Sequence, residues 1–303
     1  MGYEYGNARV ACMRARLLDR STLARIGESA TVAAVIAQLE RLEDWAPILR
    51  QTAPLGYGPT VLDTAVELHR SARLAVLPGY YDDRAQRLVE ALVLPLDAER
   101  AVAVLRRRRS LEPAEDIASS IISGALLGAR DLAAMARGAG PAAALRPLVD
   151  RGVIDAVDAT ALVAAEVAGR GSDELESMLT AAIDRARRAR SDGPGSDAAA
   201  VRRLLEHERD EREAVIVELQ DGGPTVATIL ERATRLARLD GLAALGRRDP
   251  LGIGVVAGYV AAVEAQAVRL RAMIARVRAG WAAEDTAPYL AVMERPAWLA
   301  SSS

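Results

Sequence analysis

The chain has 303 residues and a formal net charge of −2, and it is 51% hydrophobic but only 3% aromatic, with no phenylalanine. All 39 basic residues are arginine, which excludes Schiff-base chemistry on lysine, a pyridoxal phosphate linkage and a P-loop lysine. The near-neutral charge argues against a nucleic acid partner, and a single cysteine, Cys12, excludes an internal disulfide and fits a reducing compartment.

Residues that form helices readily, mainly Ala, Leu, Arg and Glu, dominate the chain and predict an all-α fold. In the first 100 residues apolar residues recur at helical spacing, which predicts helices over residues 5–18, 31–42, 60–76 and 84–93. Asp82 and Asp83 are expected to cap the last of these helices. Pro95 is expected to interrupt the helical pattern, after which Asp97 caps a further helix that ends at Arg109.

The rest of the chain continues the helical pattern, and no segment reads as a strand. Seven further helices are predicted around residues 113–122, 130–137, 141–150, 155–168, 172–190, 198–219 and 225–239, and a last one over 251–279. Residues 191–197, with two glycines and a proline, form the clearest surface loop. The longest uncharged apolar runs have 13 residues each, shorter than the roughly 18 that cross a bilayer, so we expect no transmembrane segment and a cytosolic protein.

The glycines at 252, 254 and 258 precede a long apolar run and raise the question of a nucleotide site. A dinucleotide fingerprint needs G-x-G-x-x-G directly after a strand, whereas here the spacing is G-x-G-x-x-x-G after a helical pattern. Gly254, Gly258 and Ala262 recur every four residues, which favours close packing of one helix face against a neighbour. No bound nucleotide or other cofactor is predicted.

Two other groups of residues invite a functional interpretation. Asp82 and Asp83 resemble the start of the aspartate-rich motif of all-helical prenyl and terpene synthases, which bind magnesium diphosphate, but the third aspartate is missing. His69 and His207 have no Cys or His at ligand spacing, so no metal site is predicted. A Ser-His-Asp arrangement stays open, although the chain has no G-x-S-x-G turn.

Two segments at opposite ends of the chain resemble one family. The first runs from Tyr3 through Tyr5, Asn7 and Arg9 to an arginine-rich turn, and it ends in Leu-Leu. The second begins Asp-Pro-Leu-Gly-Ile-Gly and ends Val-Arg-Leu-Arg. Together they resemble the opening and the last long helix of the C-type subunit of prokaryotic V/A-type rotary ATPases, the relative of the eukaryotic d-type subunit. The motif residues that carry the resemblance are Tyr5, Asn7, Arg9, Arg14, Arg16, Asp249, Gly252, Gly254, Arg269 and Arg271.

The resemblance implies a non-catalytic, funnel-like protein of three related helical subdomains, with pseudo-repeats at roughly 1–110, 111–222 and 223–303. It implies a central-stalk subunit that couples the soluble rotor shaft (D- and F-type subunits) to the membrane proteolipid ring and transmits torque for proton or sodium transport. The protein would then be peripheral on the cytoplasmic side of the membrane. We expect the arginine clusters to dock on these partners, namely Arg106, Arg107, Arg108, Arg109, Arg276 and Arg278. The open alternatives are a magnesium-dependent enzyme using Asp82 and Asp83, and an unrelated helical scaffold.

Overall fold

In the computed structural model, which describes residues 3–55, 58–218 and 226–281, the protein is all-α, as predicted. No strand occurs in these ranges. Their α-helices are α1 Glu4–Arg14, α2 Arg20–Gly27, α3 Val32–Leu39, α4 Ala46–Thr52, α5 Pro59–Ala75, α6 Asp83–Arg109, α7 Ala114–Ser119, α8 Ala129–Arg137, α9 Pro141–Asp150, α10 Ala156–Val167, α11 Ser172–Ser191, α12 Ser196–Glu218, α13 Val226–Arg248 and α14 Ile253–Ala279.

The chain divides into two compact units. The central unit is Leu74–Arg209, and the terminal unit combines Tyr3–Arg73 with the residues from Asp210 onwards. The three predicted pseudo-repeats divide the chain at other positions and stay a prediction. Residues 219–225, at the boundary of the second and third repeats, and residues 282–303 of the third lie outside the described residues.

The core of the central unit lies among α6 to α11, and α6 is its longest helix. The prediction that Pro95 interrupts the helical pattern is wrong, because α6 runs through it. A proline has no N–H to donate to the carbonyl four residues earlier, here that of Ala91. The buried Arg187 of α11 takes over this role, since its Nε donates to the Ala91 oxygen at 3.0 Å. A side chain from another helix therefore satisfies the carbonyl that Pro95 leaves open.

Asp97 does not begin a new helix, which corrects the second prediction for this region. Its carboxylate is fully buried within α6 and accepts the backbone N–H groups of Leu126 and Leu127 at 2.8–3.1 Å. Burial raises the pKa of Asp97 to about 6, although these hydrogen bonds act in the opposite direction. An added Cβ at Gly124 would lie 2.0 Å from the Asp97 Oδ1 atom, so a side chain there would displace the carboxylate from these hydrogen bonds. Asp97 thus holds the loop between α7 and α8 against α6.

In the terminal unit, α14 is the central helix, and apolar residues of α2 to α5 pack against its second half. By length and composition α14 could cross a membrane, but 72% of the 18-residue window that meets this criterion is buried inside the protein. The first helix is shorter than predicted and ends at Arg14. The Leu18 N–H donates to the buried Gln266 side chain at 2.8 Å, and Asp19 caps α2 directly afterwards.

The terminal unit also buries a histidine. His69 of α5 stacks on Trp45, with ring centroids 4.1 Å apart, and Arg73 Nε donates to its Nε2 at 3.5 Å. Burial and the neighbouring Arg73 lower the pKa of His69 to about 4, whereas the Asp44 charge opposes this shift. The imidazole is therefore neutral in the folded protein at pH 7.

This histidine makes folding pH-dependent. In the unfolded chain His69 takes up a proton near pH 6.5, but in the folded protein only near pH 4, so stability is lost as the pH falls through this window. We expect a loss on the order of 2–3 kcal/mol in the free energy of unfolding between pH 7 and pH 4. Urea unfolding of wild type and His69→Phe at several pH values measures it. The phenylalanine keeps an uncharged ring on Trp45, so the variant should lose less stability in acid; equally steep losses would contradict the assignment.

Candidate functional site

The two motifs that lie far apart in the sequence meet in the terminal unit. Asn7, the only asparagine of the chain, donates its side-chain amide to the carbonyl of Leu251 at 2.6 Å and to that of Gly252 at 3.1 Å. Helix α1 thereby attaches to the turn that begins α14, and Gly6 and Val10 are its buried residues against the unit. The sequence singled out Asn7 by its motif, but its partners 244 residues away were not predictable from spacing.

The glycine-containing turn is closed by its own aspartate. Asp249 accepts the N–H of Gly252 at 2.8 Å through Oδ1 and that of Gly254 at 3.1 Å through Oδ2. These are backbone donors that a phosphate would need at the start of α14, because the first N–H groups of a helix have no partner within it. The turn is preceded by helix α13 and not by a strand. Its geometry therefore supports helix entry, in agreement with the interpretation of the sequence.

Glycines bring α13 and α14 close together behind this turn. An added Cβ at Gly246 would lie 2.7 Å from the Cα atom of Gly258, and one at Gly254 would lie 2.1 Å from the Asp249 carbonyl oxygen. The side chain of Arg14 reaches the same crossing, 3.9 Å from the Cβ position of Gly258. Close packing at Gly254 and Gly258, predicted from their spacing, is confirmed.

The other residues of the first motif lie at the surface. Tyr5 is 65% exposed, and the guanidinium of Arg9 lies 5.0 Å from the centroid of its ring. Arg9, Arg14 and Arg16 are exposed. The terminal unit therefore presents cations and an aromatic ring to solvent, and such groups can bind acidic partners.

The arginines of α14 are divided between core and surface. Arg271 forms an ion pair with Glu67, Arg269 is partly buried, and Arg276 is buried and donates to the Ser29 carbonyl oxygen at 2.7 Å. Only Arg278 of the predicted docking residues in this helix is exposed. The guanidinium of Arg276 therefore makes its hydrogen bond inside the unit and not at the surface.

A buried ionic cluster between α5 and α14 was missed by the sequence analysis. The Arg70 guanidinium binds both carboxylate oxygens of Glu264, at 2.8 and 2.9 Å, and these two side chains are almost completely buried. Glu67 accepts from Arg70 at 3.4 Å and also pairs with Arg271. One signal was available, because Glu264 is the single acidic residue of an otherwise apolar and basic helix.

The four consecutive arginines at the end of α6 all have partners within the central unit. Arg106 is 64% exposed and binds Glu176 with two nitrogens at 2.7 and 3.0 Å, and Arg107 pairs with Glu112. Arg108 donates to the carbonyls of Met135, Ala136 and Gly138, which end α8, and Arg109 donates to Ser172. They stabilise loops and helix ends, and Arg106 is the most accessible of them.

The candidate magnesium ligands, Asp82 and Asp83, lie at the N-terminus of α6. Asp82 stands at its N-terminus without a side-chain cap hydrogen bond, and Asp83, also exposed, is in its first turn. Both complement the positive end of the helix dipole, as predicted, and Asp82 occupies the N-cap position without donating or accepting a side-chain cap hydrogen bond. Within the described residues, no group of three or more His, Cys, Asp or Glu side chains could hold a metal ion.

Comparison with known proteins agrees with the resemblance seen in the two motifs. The family model of the ATP synthase (C/AC39) subunit matches residues 6–217, from the first turn of α1 to the last turn of α12. The second motif, which begins α14, lies beyond the matched residues. No curated protein matches the chain. Because the family model covers more than half of the sequence, the chain belongs to the C/AC39 subunit family of V/A-type ATP synthases.

Proposed function

We propose that this protein is the non-catalytic central-stalk subunit of a rotary V/A-type ATPase. It couples the soluble rotor shaft to the membrane proteolipid ring and transmits torque between ATP chemistry and proton or sodium transport. The family match over residues 6–217 carries this proposal. The link from Asn7 to Leu251 and Gly252 supports it, because it joins the two motifs that carry the resemblance.

The proposed partners are the D- and F-type shaft subunits on one side and the proteolipid ring on the other. The protein would lie on the cytoplasmic side of the membrane and be held there by the complex. A single subunit on a ring makes unequal contacts around the axis. Contacts between charged side chains suit that geometry, because they tolerate an imperfect alignment of the two surfaces better than a tightly packed apolar contact does.

The exposed arginines are the proposed docking residues. Arg9, Arg14 and Arg16 form one set in the terminal unit, where Arg278 is exposed as well, and Arg106 represents the central unit. The guanidinium groups of such residues bind carboxylates with two parallel hydrogen bonds, which gives orientation as well as attraction.

Affinity purification of the tagged chain from its source tests the assignment. We expect the shaft subunits and the proteolipid ring to co-purify with it, and removal of the chain to uncouple ATP hydrolysis from ion transport. An unrelated helical scaffold would purify without them. Co-purification of neither partner would refute the proposal.

Charge reversal tests the docking residues. We expect the triple variant Arg9→Glu, Arg14→Glu, Arg16→Glu to bind at least one partner about 10-fold to 100-fold more weakly, because each substitution removes an attraction of about 0.5–1 kcal/mol. Pull-downs with separate shaft and ring fractions at low and high salt measure the loss, which should shrink as salt screens the charges. The matched control is Arg146→Glu, an exposed arginine of α9 paired only loosely with Asp150. Unchanged binding to both partners would exclude this set.

A further inference from the structure

Three exposed arginines come together in the terminal unit where α1, α13 and α14 meet. Arg14 Nη1 lies 3.9 Å from the Cβ position of Gly258, and the Cα atom of Gly246 lies 3.4 Å from the same point. Gly246 immediately precedes Arg247 and Arg248, the last two residues of α13. The fold therefore places Arg14 beside a pair of arginines from the other end of the chain. We call this place, together with Leu251, the arginine corner.

The three arginines of the corner have no partner of their own. All three are exposed, and none makes an ion pair or a side-chain hydrogen bond within the part of the chain that the structure describes. The next residue, Asp249, does not pair with them, because its carboxylate accepts the backbone N–H groups of Gly252 and Gly254. The corner differs in this from the four arginines that end α6, each of which has a partner in its own unit.

Positive charge is in excess around the corner. Residues 3–18 and 241–263, which surround it, contain five arginines and two acidic residues, Glu4 and Asp249. Glu4 lies in the first turn of α1, at the opposite end of this helix from Arg14. The whole chain has a net charge of −2, so this local excess is opposite in sign to the rest of the protein. A field of this kind attracts an acidic partner.

An exposed leucine lies at the same corner. Leu251 is 83% exposed and follows Arg248 by three residues. Its backbone is held in place, because its carbonyl accepts the Asn7 amide at 2.6 Å and its N–H donates to Asp249 at 3.3 Å. A single exposed leucine is ordinary, but an apolar side chain on a fixed turn beside unpaired arginines has the composition of a protein contact, an apolar centre with a charged rim.

We propose that the arginine corner binds an acidic segment of another subunit of the complex, with carboxylates opposite the arginines and an apolar recess for Leu251. A guanidinium binds a carboxylate through two parallel hydrogen bonds, so three of them orient the segment as well as attract it. The leucine favours a polypeptide over a small anion, which offers it no apolar surface. This inference rests on the proposed function, because the acidic segment is sought among the subunits of the rotary complex.

Two other occupants fit the corner less well. A second copy of the chain, paired around a two-fold axis, would place the same arginines opposite each other, and like charges repel. An anionic membrane surface is bound by clusters of about four to eight cations, or by helices with several large apolar residues beside their cations. In the corner, one leucine accompanies three arginines.

Charge reversal at the end of α13 tests the ionic part of the contact. The variant is Arg247→Glu, Arg248→Glu, and the matched control is Arg41→Glu, Arg50→Glu, the same change of charge at exposed arginines of the same unit. The full-length chains are titrated onto separate shaft and ring fractions, after a thermal melt has verified that they fold. At low salt we expect the variant to bind one fraction about 10-fold more weakly than the wild type, a loss that shrinks at high salt. The control should bind as the wild type does.

Leu251→Ser tests the apolar part of the contact. The side chain is exposed in the free chain, so its removal should leave the fold intact. We expect the variant to bind the same fraction about 5-fold to 10-fold more weakly at low and at high salt alike, because salt does not screen an apolar contact. This difference in salt dependence separates a specific contact from a general attraction between charges.

Crosslinking identifies the acidic segment in the intact complex. A benzophenone maleimide is attached at Leu251→Cys in a Cys12→Ser background, because Cys12 is exposed and would react as well. We expect one crosslinked peptide from another subunit, with two or more Asp or Glu residues close together. Replacing these acidic residues by arginine should restore binding of the Arg247→Glu, Arg248→Glu variant.

Four results would overturn the inference. Binding of both corner variants as tightly as the wild type would reject the corner and leave the proposed function intact, and so would a crosslinked peptide without acidic residues. A dimer in sedimentation that the charge reversal dissociates would assign the corner to a second copy. Binding of the wild type, but not of the charge-reversed chain, to vesicles of phosphatidylglycerol and phosphatidylcholine would assign it to lipid. If the wild type binds neither the shaft nor the ring fraction, the proposed function and this inference fail together.

Discussion

Replacing Arg187 by methionine is expected to lower the free energy of unfolding of the protein by about 3–5 kcal/mol, because it removes one partner of a buried ion pair. Arg187 binds Glu208 through both terminal nitrogens, at 2.6 and 3.2 Å, and both side chains are buried. The variant leaves the Glu208 carboxylate without this cation and the Ala91 carbonyl without its donor. Chemical denaturation at pH 7 measures the loss.

A second substitution added to Arg187→Met measures how much of the lost stability comes from the unpaired Glu208 carboxylate and how much from the Ala91 carbonyl. Adding Glu208→Leu should recover part of the stability, since a buried pair replaced by apolar side chains is often tolerated. Adding Pro95→Ala should recover a further part, of about 1 kcal/mol, because residue 95 then has an N–H for the Ala91 carbonyl. The control is Arg203→Met, at an exposed position of α12 in the same unit. An Arg187→Met variant as stable as this control would show that the buried pair contributes nothing.

The single methyl group added by Gly254→Ala is expected to destabilise the terminal unit strongly. Its Cβ would lie 2.1 Å from the Asp249 carbonyl oxygen and 2.8 Å from that of Leu245, and both are backbone atoms that cannot rotate away. The turn must then move, which breaks the hydrogen bonds from Gly252 and Gly254 to Asp249. We expect a loss of about 3 kcal/mol or more in the free energy of unfolding.

The comparison with Gly79→Ala isolates the steric cause. An added Cβ at Gly79 meets no atom within 4 Å, so this variant should stay within about 0.5 kcal/mol of the wild type. Urea unfolding of both variants gives the difference directly. A Gly254→Ala protein with wild-type stability would mean that the turn accommodates a side chain and does not need glycine.

The sequence was sufficient for the fold class and for many helix positions. Helical spacing predicted α8, α9 and α11 to within about one residue at each end, and the composition of residues 191–197 located the break between α11 and α12. Local chemistry explains this success, because caps, glycines and apolar spacing act within one or two turns. The same logic failed at Pro95, because its effect depends on the guanidinium of Arg187, which is distant in the sequence.

The candidate site was predictable only in part, for a related physical reason. The motif identified Asn7 and Asp249 as important positions. It did not reveal that Asn7 binds the turn before α14, which Asp249 closes by accepting a backbone N–H group. A cluster of arginines looks the same in sequence whether it meets a partner or its own chain. Arg106 and Arg108 have partners 27–70 residues away, which no local pattern reveals.

The attachment of Asn7 to the start of α14 has a consequence for synthesis of the chain. The first 73 residues of the terminal unit leave the ribosome about 180 residues before α14, a delay on the order of 10–40 s at 5–20 residues per second. The central unit is contiguous and can fold in that interval, whereas Leu62, Val66 and Leu39 have no helix α14 to cover them. The nascent N-terminal segment therefore exposes apolar surface until α14 has been synthesised, and a chaperone that holds this segment would favour correct assembly of the terminal unit.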